Sequence, residues 1–552
     1  MNTQDNSIEL GENLSNCLNC PESIDKTDFY LKYDVCPFCN FHYSIDSKKR
    51  IQIISDSGTF REFNKNISIK RPENLKIDDT YRKNVKKTRE RTGLEEAAIS
   101  GTCNIGGIKT VVIILDFGFL GGSMGLIVGE KISKAFSFAY RNNLPVVSII
   151  SSGGRRVQEG LYSLVQMIKT VISTKDLRKR NLPHITLFTN PSGGQVYSSF
   201  ASRADIKLGE PGAIMGLFQL DELMNANEEA SNLDISSETF YEKGLIDKVV
   251  SRNKLKIELF TILENLMIDY KIPKKVDLSV PTLNSNKDKK KVKKAIKKGT
   301  PSSSIYTSKL FDDYVELGYT SKEDLIITGL GKIASQPVAI VAQNYQRSNS
   351  KETGKITIKD LSKINKFMNI SEDFNIPIIF FVDNKGIDIS YKNELLGVGD
   401  ILSKMIFDLS SHKQNMISII TGEASSEASI PFFLSDKVYM LENAIFIPNN
   451  QDQKKEYLDA MDCLENNVID SIIPEPPLGA AKGPEDMARL IKISLINGLS
   501  ELNHTGMKKT LSNRNKKFLN VDMGENKLLL TVTNEMKIWK DVLEASYKAF
   551  RN

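Results

Sequence analysis

Short apolar runs rich in β-branched residues recur along the chain, and each run ends in glycines that precede a helical pattern. Three of these runs read TVVIILDFGFLGGSMG, PVVSIISSGG and HITLFTNPSGG. We call their glycine-rich ends the first turn (residues 116–125), the second turn (residues 151–156) and the third turn (residues 189–197). Strands that alternate with amphipathic helices from Ile108 onwards predict a parallel sheet with crossover helices. Residues 51–100 are expected to be mixed helix and loop that lead into this sheet.

The glycines of the three turns indicate the kind of site that the sheet carries. Glycine between a strand and a helix lets the backbone turn tightly and leaves N–H groups free at the start of the helix. Three such turns close together in the sequence predict one site that is built from backbone amides.

The same pattern returns in the second half of the chain at a nearly constant distance. Corresponding positions lie 232, 232 and 231 residues apart, namely Pro145 and Pro377, Thr189 and Thr421, and Ala204 and Ser435. A constant offset across three predicted strands indicates two copies of one α/β domain in tandem. Such copies usually pack about a pseudo-twofold axis, which places a cleft between equivalent turns.

Four of the six cysteines form two CxxC pairs near the N-terminus, and they are Cys17, Cys20, Cys36 and Cys39. This C-x2-C-x15-C-x2-C spacing is typical of a structural Zn²⁺ site in which four thiolates leave no open position for chemistry. We therefore predict a four-cysteine zinc ribbon over residues 17–45, after a disordered segment 1–16. His42 is expected to be a neighbour of the site or a surface residue, and not a ligand.

A change in composition separates the two predicted domains. Residues 287–298 hold eight lysines in twelve positions and are followed by GTPSSS, which is typical of a solvated linker. An alternative role for this run is binding of an acidic partner or of coenzyme A phosphates. The predicted organisation is a first domain over residues 46–273, a lysine-rich linker over 274–304 and a second domain over 305–552.

Composition excludes several classes of protein. The net charge of +6 is small for 552 residues and gives no argument for nucleic acid. No apolar run is long enough for a membrane span, and the polar N-terminus does not resemble a signal peptide. Six cysteines in this length do not form a disulfide framework. These features predict a cytoplasmic protein.

Common catalytic motifs are absent from the sequence. The four histidines lie in no nucleophile–base motif, and no GxSxG, HExxH or P-loop sequence occurs. The LGGSMG segment lacks the third glycine of a dinucleotide-binding fingerprint. Amides at glycine-rich turns remain, and they are suited to stabilising an oxyanion such as the enolate of a thioester.

Several of these segments resemble a known enzyme. CLNC with CPFC, FGFLGGSMG, SSGGRRVQEGLYSLVQM, SFASRADIKLGEPGAIMG and FYEKGLIDKVV resemble, in order, the β subunit of bacterial acetyl-CoA carboxylase carboxyltransferase. SKLFDDYVELG, IPIIFFVDNKG and the segment from Val468 to Leu502 look like its α subunit. The resemblance extends over residues 15–530 and indicates β and α subunits fused in one chain, with a divergent α half.

The resemblance implies a fold, a reaction and partners. Each half is expected to have a crotonase-like (ClpP/crotonase) fold, with the active site between a β and an α domain across a dimer interface. The expected reaction moves a carboxylate from carboxybiotin on a carrier protein to the thioester acetyl-CoA and yields malonyl-CoA. The implied partners are biotin carboxylase and the biotin carboxyl carrier protein, and the chain is expected to be a homodimer that binds neither nucleic acid nor membrane.

The resemblance also implies site residues. One wall of the thioester pocket is assigned to Gly121, Gly122 and Gly125, and the coenzyme A side to Gly153, Gly154 and Arg156. Arg156 is expected to meet phosphate or pantetheine, with a surface position at a helix start as the alternative. The two catalytic amide pairs fall on Gly194 and Gln195 in the first half and on Glu427 and Ala428 in the second.

The second half departs from the family pattern. Where the family has GEGGSGGA, residues 422–428 read GEASSEA, and where it has DTPGAYPG, residues 383–390 read DNKGIDIS. In the first half the glycine pair lies one residue early, so that Gln195 replaces a glycine. These changes leave two alternatives open, a biotin-independent decarboxylase, hydrolase or lyase acting on an acyl thioester, and a non-catalytic paralogue. Glu423 and Glu427 are also candidates for helix-capping carboxylates.

Overall fold

This computed structural model describes residues 16–24, 27–67, 78–217, 234–273, 278–279, 301, 303–319, 325–343, 354–448, 457–477 and 479–519. The predicted disordered segment, apart from Asn16, and the lysine run 287–298 lie outside these ranges, as do residues 520–552 of the predicted second domain. No helix in the described ranges has the length and apolar character that a membrane crossing requires.

The described chain alternates strands with helices. The strands are β1 Arg61–Phe63, β2 Ala98–Ile105, β3 Ile108–Leu115, β4 Val146–Ser152, β5 His184–Gly193, β6 Ile206–Gly209, β7 Met215–Gly216, β8 Lys248–Val249, β9 Asp312–Glu316, β10 Ile326–Ile333, β11 Gln336–Gln343, β12 Ile378–Val382, β13 Met416–Ile420, β14 Glu423–Ser425, β15 Lys437–Leu441, β16 Ile445–Ile447, β17 Leu458–Asp459 and β18 Ser471–Ile473.

The helices lie between and after these strands. They are α1 Asp28–Tyr33, α2 Ser47–Ile54, α3 Asp79–Thr92, α4 Leu126–Asn142, α5 Leu161–Arg178, α6 Gly194–Tyr197, α7 Ser237–Glu242, α8 Leu255–Met267, α9 Ser303–Leu310, α10 Ile358–Asp373, α11 Tyr391–Leu395, α12 Val398–Ser411, α13 Ser426–Ser429, α14 Ala460–Glu465, α15 Pro484–Leu502 and α16 Met507–Leu519. Short 3₁₀ turns cover Leu120–Gly122, Val157–Glu159, Phe200–Arg203 and Ile430–Leu434.

The first sheet has the order β1-β2-β3-β4-β5-β6-β8, with β7 paired to β5. From β3 onwards the strands are parallel, as predicted, because helices α4 and α5 provide the crossovers. The expectation of helix and loop over residues 51–100 was wrong for β1 and for the start of β2. Strand β2 pairs antiparallel with β3 along its whole length. Small residues conceal this strand in the sequence. A Cβ on Gly101 would lie 2.5 Å from the Phe60 ring, so the strand needs a glycine where Phe60 packs.

The second sheet repeats the parallel part of the first. Its order is β18-β15-β13-β12-β11-β10-β9, and a separate small sheet has the order β14-β16-β17. The first residues of β4 and β12 are 232 apart, and so are those of β5 and β13. The predicted duplication is therefore confirmed in the strand register.

One hydrophobic core runs through both halves, and helix α8 lies at its centre. Buried α8 side chains Leu259 and Leu263 belong to the same cluster as Val112 of β3 and Ile340 of β11. The helix packs on β2 and β3 of the first sheet and on β9, β10 and β11 of the second. The two domains are therefore joined by a shared apolar layer.

Polar contacts fix the same junction. The Gly318 amide donates to the Asp247 carbonyl at 2.7 Å, and Asn265 Nδ2 donates to the Asp313 carbonyl at 3.1 Å. The Lys332 ammonium, almost fully buried, pairs with Glu264 at 2.7 Å. Because Lys332 and Asp313 belong to the second half, the orientation of the two sheets is set within one chain.

Candidate functional site

In the first half, the first and second turns are joined by backbone hydrogen bonds. The Gly153 amide donates to the Gly121 carbonyl at 2.8 Å, the Met124 amide to the Gly154 carbonyl at 2.8 Å, and the Arg156 amide to the Met124 carbonyl at 2.9 Å. We call this set of three bonds the turn ladder. It holds the predicted substrate-binding glycines on one continuous surface.

Two glycines of the first turn are required by close contacts. Gly122 has φ +62°, and a Cβ there would lie 2.0 Å from the Ser151 carbonyl oxygen. A Cβ on Gly125 would lie 2.6 Å from Glu159 Oε1, since the Glu159 carboxylate accepts a hydrogen bond from the Leu126 amide at the start of α4. Gly122 and Gly125 thus allow the second turn to approach the first.

The third turn lies against the second. Strand β5 continues to Gly193 and passes directly into α6, whose first residue, Gly194, has φ +60°. A Cβ built on Gly154 would lie 3.5 Å from Gly194 Cα and 3.9 Å from the Gln195 nitrogen. The structure therefore brings the predicted substrate-binding and catalytic positions of the first half together. Because the first amides of a helix lack partners inside it, the Gly194 and Gln195 N–H groups are available to an oxyanion.

Arg156 does not occupy the position that the resemblance implied. Its guanidinium is 3% exposed and forms a two-point ion pair with Glu96, one bond of which measures 2.9 Å. Burial by itself lowers the pKa of Arg156, but the Glu96 carboxylate outweighs burial and the net shift of the pKa is upward. The expected contact with phosphate or pantetheine, and the alternative of a surface residue, are both corrected. Arg156 links the second turn to the residues that precede β2.

The second half repeats the turn ladder. The Lys385 amide donates to the Gly354 carbonyl at 2.7 Å, the Ile356 amide to Gly386 at 2.8 Å, and the Asp388 amide to Ile356 at 2.9 Å. Lys385, Gly386 and Asp388 each lie 232 positions after Gly153, Gly154 and Arg156.

The local conformation of the second turn is also kept. Gly386 has φ +108° and Gly154 has φ +124°. A side chain two residues earlier accepts a hydrogen bond from each of these glycine amides, Asn384 Oδ1 at 2.9 Å in one half and Ser152 Oγ at 3.1 Å in the other. The altered sequence DNKG therefore forms the same backbone turn as SSGG.

The third turn of the second half has a different register from the one predicted. Ser426 opens α13 with φ +48°, as Gly194 opens α6 with φ +60°. The equivalent of the Gly194–Gln195 pair is therefore Ser426–Glu427, one residue earlier than the predicted Glu427–Ala428 pair. The sequence already held the signal for Ser426, because it lies 232 residues after Gly194.

The two glutamates of this turn are held by neighbouring serines. Ser425 Oγ donates to Glu423 at 2.8 Å. The Ser426 hydroxyl hydrogen-bonds to Glu427, which lowers the pKa of that exposed carboxyl below its usual range. The Ser425 side chain at the N-cap of α13 forms no capping bond, whereas Glu427 lies in the first turn and its carboxylate accepts from its own backbone N–H, in agreement with the expected capping role. Glu423 lies before the helix, in β14.

The four predicted metal-binding cysteines come together at the N-terminus. All four sulfur atoms lie within 4.8 Å of one another, and the Tyr43 hydroxyl donates to Cys17 Sγ at 3.1 Å. Four cysteine sulfurs at this separation fit tetrahedral Zn²⁺. His42 is not part of the cluster. Its side chain is buried and contacts Ser251 Oγ at 3.2 Å.

Buried charges attach this cysteine cluster to the first domain. The fully buried Arg252 donates to the carbonyls of Tyr33 and Tyr43 at 2.8 and 3.0 Å, and to the Glu210 carboxylate at 2.9 Å. Burial raises the pKa of Glu210, but Arg50 and Arg252 lower it more, so its net value is well below the usual range. The ribbon is therefore anchored by an ionised Glu210 at the end of β6.

Comparisons with known proteins agree with this geometry. The model of the carboxyl transferase domain family matches residues 48–430. The acetyl-coenzyme A carboxylase carboxyl transferase subunits beta/alpha of Clostridium tetani are 31% identical over 541 residues, covering 93% of this chain and 94% of that protein. The subunit beta of Clostridioides difficile is 38% identical over 248 residues, covering 45% of this chain and 86% of that protein.

A solved structure shows the same fold at low sequence identity. Transcarboxylase 12S, with methylmalonyl-coenzyme A and methylmalonic acid bound, superposes with a TM-score of 0.64 at 18% identity, covering 83% of this chain and 90% of that one. The predicted fold class of tandem crotonase-like domains is confirmed. The duplicated turn ladder, the family match and the relatives of full length together establish that this chain belongs to the carboxyl transferase domain family, with the β and α parts fused in one polypeptide.

Proposed function

We propose that this chain transfers a carboxylate from carboxybiotin, carried on a separate protein, to acetyl-CoA and so produces malonyl-CoA. The turn ladder in both halves carries this proposal. Each ladder supports a helix start whose N–H groups suit a developing oxyanion. The Glu427 N–H, which donates to its own carboxylate, exchanges that partner for the oxyanion. Two such sites match a reaction in which two carbonyl oxygens gain negative charge.

The backbone amides of the two halves are assigned to two different carbonyl oxygens. The Gly194 and Gln195 amides hold the thioester carbonyl oxygen as the α-carbon loses its proton. The Ser426 and Glu427 amides hold the carbonyl oxygen of the biotin ring. When bound, carboxybiotin supplies the carboxyl group and, after releasing it, the base that takes the α-proton. The protein then needs no side-chain nucleophile, which agrees with a site made of backbone amides.

Exposed apolar side chains next to the turns support a homodimer. Helix α5 follows the second turn and exposes Leu161, Ile168 and Ile172, with exposed fractions of 69%, 63% and 56%. In the second half, Tyr391 and Leu395 of α11 follow the equivalent turn and are 80% and 69% exposed. Large exposed apolar stripes indicate a protein interface.

The position of these apolar stripes indicates which protein covers them. Val157 and Ile389 are both exposed and lie 232 residues apart, so each half presents an apolar stripe directly after its second turn. A second copy placed head to tail covers both stripes and brings the first-half turns of one chain to the second-half turns of the other. The biotin carboxyl carrier protein and biotin carboxylase are the remaining partners of this proposal.

The cysteines fit the same proposal. The ribbon holds structural Zn²⁺ through Cys17, Cys20, Cys36 and Cys39, since the cluster has no free position for a reacting ligand. None of the six cysteines forms a disulfide, which is consistent with work in the reducing cytoplasm.

A second candidate function is favoured by one observation. Glu427 is exposed and anionic at the place where the family has a glycine amide. A carboxylate there opposes negative charge on a biotin ring, which favours a biotin-independent decarboxylase, hydrolase or lyase acting on an acyl thioester carried by CoA or by a carrier protein. The same assay separates the two functions.

The test is the decarboxylation of malonyl-CoA by the purified protein, with and without free biotin or a biotinylated carrier. The proposed function predicts CO2 release that depends on biotin. CO2 release at the same rate with and without biotin supports the second candidate function. The absence of turnover and of acyl-CoA binding in both arms contradicts both and identifies a non-catalytic paralogue.

A further inference from the structure

The side chain of Gln195 lies between the second and third turns of the first half. A Cβ built on Gly154 would lie 3.3 Å from Gln195 Oε1, so the amide end of this side chain lies over the glycine. Oε1 of this half-buried residue is itself buried and has no hydrogen-bond partner among the described residues. The family pattern has glycine at this position, where no side chain fills the space.

The equivalent side chain in the second half points elsewhere. Glu427 hydrogen-bonds to the Ser426 hydroxyl and is exposed. Two side chains that start from the same helix position thus take different directions. Gln195 enters the space between Gly154 and Gly194, which we call the groove, and Glu427 points to solvent. Helix geometry alone therefore does not determine where Gln195 lies.

Contacts within the protein do not account for this placement. Burial of a carbonyl oxygen without a donor is unfavourable, and no described residue donates to Gln195 Oε1. What the side chain does is fill the space beside Gly154 and Gly194. That space adjoins the amides to which the proposed function assigns the thioester oxygen. The acyl carbons attached to that carbonyl are therefore close to the Gln195 side chain.

We propose that Gln195 determines acyl specificity by closing this groove, so that the enzyme accepts acetyl-CoA and excludes propionyl-CoA and larger acyl thioesters. The inference rests on the proposed function for the location of the thioester. It concerns the side chain alone, since the backbone N–H of residue 195 is present in any variant except proline.

The test compares Gln195→Gly with Gln195→Met. Glycine opens the groove, whereas methionine keeps a side chain of similar length. The ratio of kcat/KM for acetyl-CoA to that for propionyl-CoA is expected to fall by about tenfold or more in Gln195→Gly, the usual effect of one methylene in an apolar pocket. In Gln195→Met the ratio is expected to stay near the wild-type value. Glu427→Gly, at the equivalent position of the other half, is the matched control and leaves this ratio unchanged.

Binding distinguishes failure of this inference from failure of the proposed function. The affinities of acetyl-CoA and propionyl-CoA are measured by calorimetry for the wild type and Gln195→Gly. If the wild type binds both thioesters but transfers no carboxyl group, the proposed function is contradicted. If the ratio of the two affinities still shifts in Gln195→Gly, the specificity role of Gln195 is kept. Ratios of kcat/KM and of affinity within twofold of the wild type overturn the role of Gln195, and so does a wild type that binds neither thioester.

Discussion

The two halves of this chain place the same backbone turns with different side chains. The first half uses Gly153 and Gly194 where the second half has Lys385 and Ser426, yet the turn ladder and the positive φ at the helix start are repeated. A backbone N–H is available from any residue except proline. Loss of glycines in the second half therefore changes the surroundings of the amides and keeps the amides themselves.

The halves differ in how the second turn is secured. In the first half the buried Arg156 guanidinium pairs with Glu96. The corresponding residue, Asp388, accepts local hydrogen bonds from the Ser390 amide at 3.0 Å and from Asn393 Nδ2 at 2.6 Å. The second turn of the first half is thus tied to its sheet by a buried ion pair, while that of the second half is held by neutral buried hydrogen bonds, such as Asn384 Nδ2 to Gln343 Oε1 of β11 at 2.7 Å. This difference gives each half its own sensitivity to mutation.

The largest expected effect is the loss of an amide donor in the first half. Gln195→Pro removes one N–H near the start of α6, a position where proline fits the helix. Gln195→Ala keeps that N–H and is the control. We expect Gln195→Pro to lower kcat for malonyl-CoA decarboxylation by about 10²–10³ relative to Gln195→Ala. Equal rates in the two variants contradict an oxyanion role for this amide.

The next effect concerns the ion pair of Arg156. Arg156→Ala leaves the Glu96 carboxylate buried and unpaired, so we expect a loss of about 3–5 kcal/mol in the free energy of unfolding. Asp388→Ala removes hydrogen bonds near the surface and is expected to cost about 1 kcal/mol. Thermal and urea denaturation measure both. The double variant Arg156→Met with Glu96→Gln should recover most of the loss, and similar costs for the two alanine variants contradict the difference between the halves.

Acid should weaken both halves through one buried histidine each. Burial lowers the pKa of His184 to about 3, and burial together with Arg514 lowers the pKa of His412 to about 3. Because the unfolded histidines titrate near pH 6.5, the unfolded state binds more protons between pH 3 and pH 6.5. Stability therefore falls as the pH decreases through this window, by about 1.4 kcal/mol per pH unit for each histidine.

Single substitutions test this pH dependence. Stability is measured by urea denaturation between pH 5 and pH 7 for the wild type, His184→Gln and His412→Gln. Each variant should show a shallower decline with falling pH. If the slope of stability against pH is unchanged in a variant, the histidine replaced there does not contribute to the pH dependence.

The smallest effects should have opposite signs in the two halves. Ser426 has φ +48°, a conformation that costs a residue with a Cβ about 1–2 kcal/mol. Ser426→Gly should therefore raise the melting temperature, and Gly194→Ala should lower it. Circular dichroism melts of the two variants measure this, and a Ser426→Gly variant that is less stable than the wild type contradicts the assigned conformation.

The sequence allowed the duplication, the cysteine cluster and the fold to be predicted, because an offset repeat and a CxxC spacing are local patterns. Strand β2 was missed because its small and polar residues give no apolar run. The role of Arg156 could not be predicted, since its partner Glu96 lies 60 residues away and only folding brings the two together. The resemblance places the second amide pair one residue after Ser426, because it follows the glycines of the family, whereas the 232-residue repeat points to Ser426 itself.

The second half, despite its lost glycines, is proposed to supply amides to the biotin ring. A matched pair of variants tests this role by giving the second half the Gly–Pro sequence that Gln195→Pro gives the first. In the double variant Ser426→Gly with Glu427→Pro, α13 loses an N–H, and Ser426→Gly with Glu427→Ala is the control. We predict that biotin-dependent decarboxylation of malonyl-CoA falls by about 10²–10³ in the proline variant relative to the control, while both bind malonyl-CoA equally. Equal biotin-dependent rates in the two double variants contradict the account.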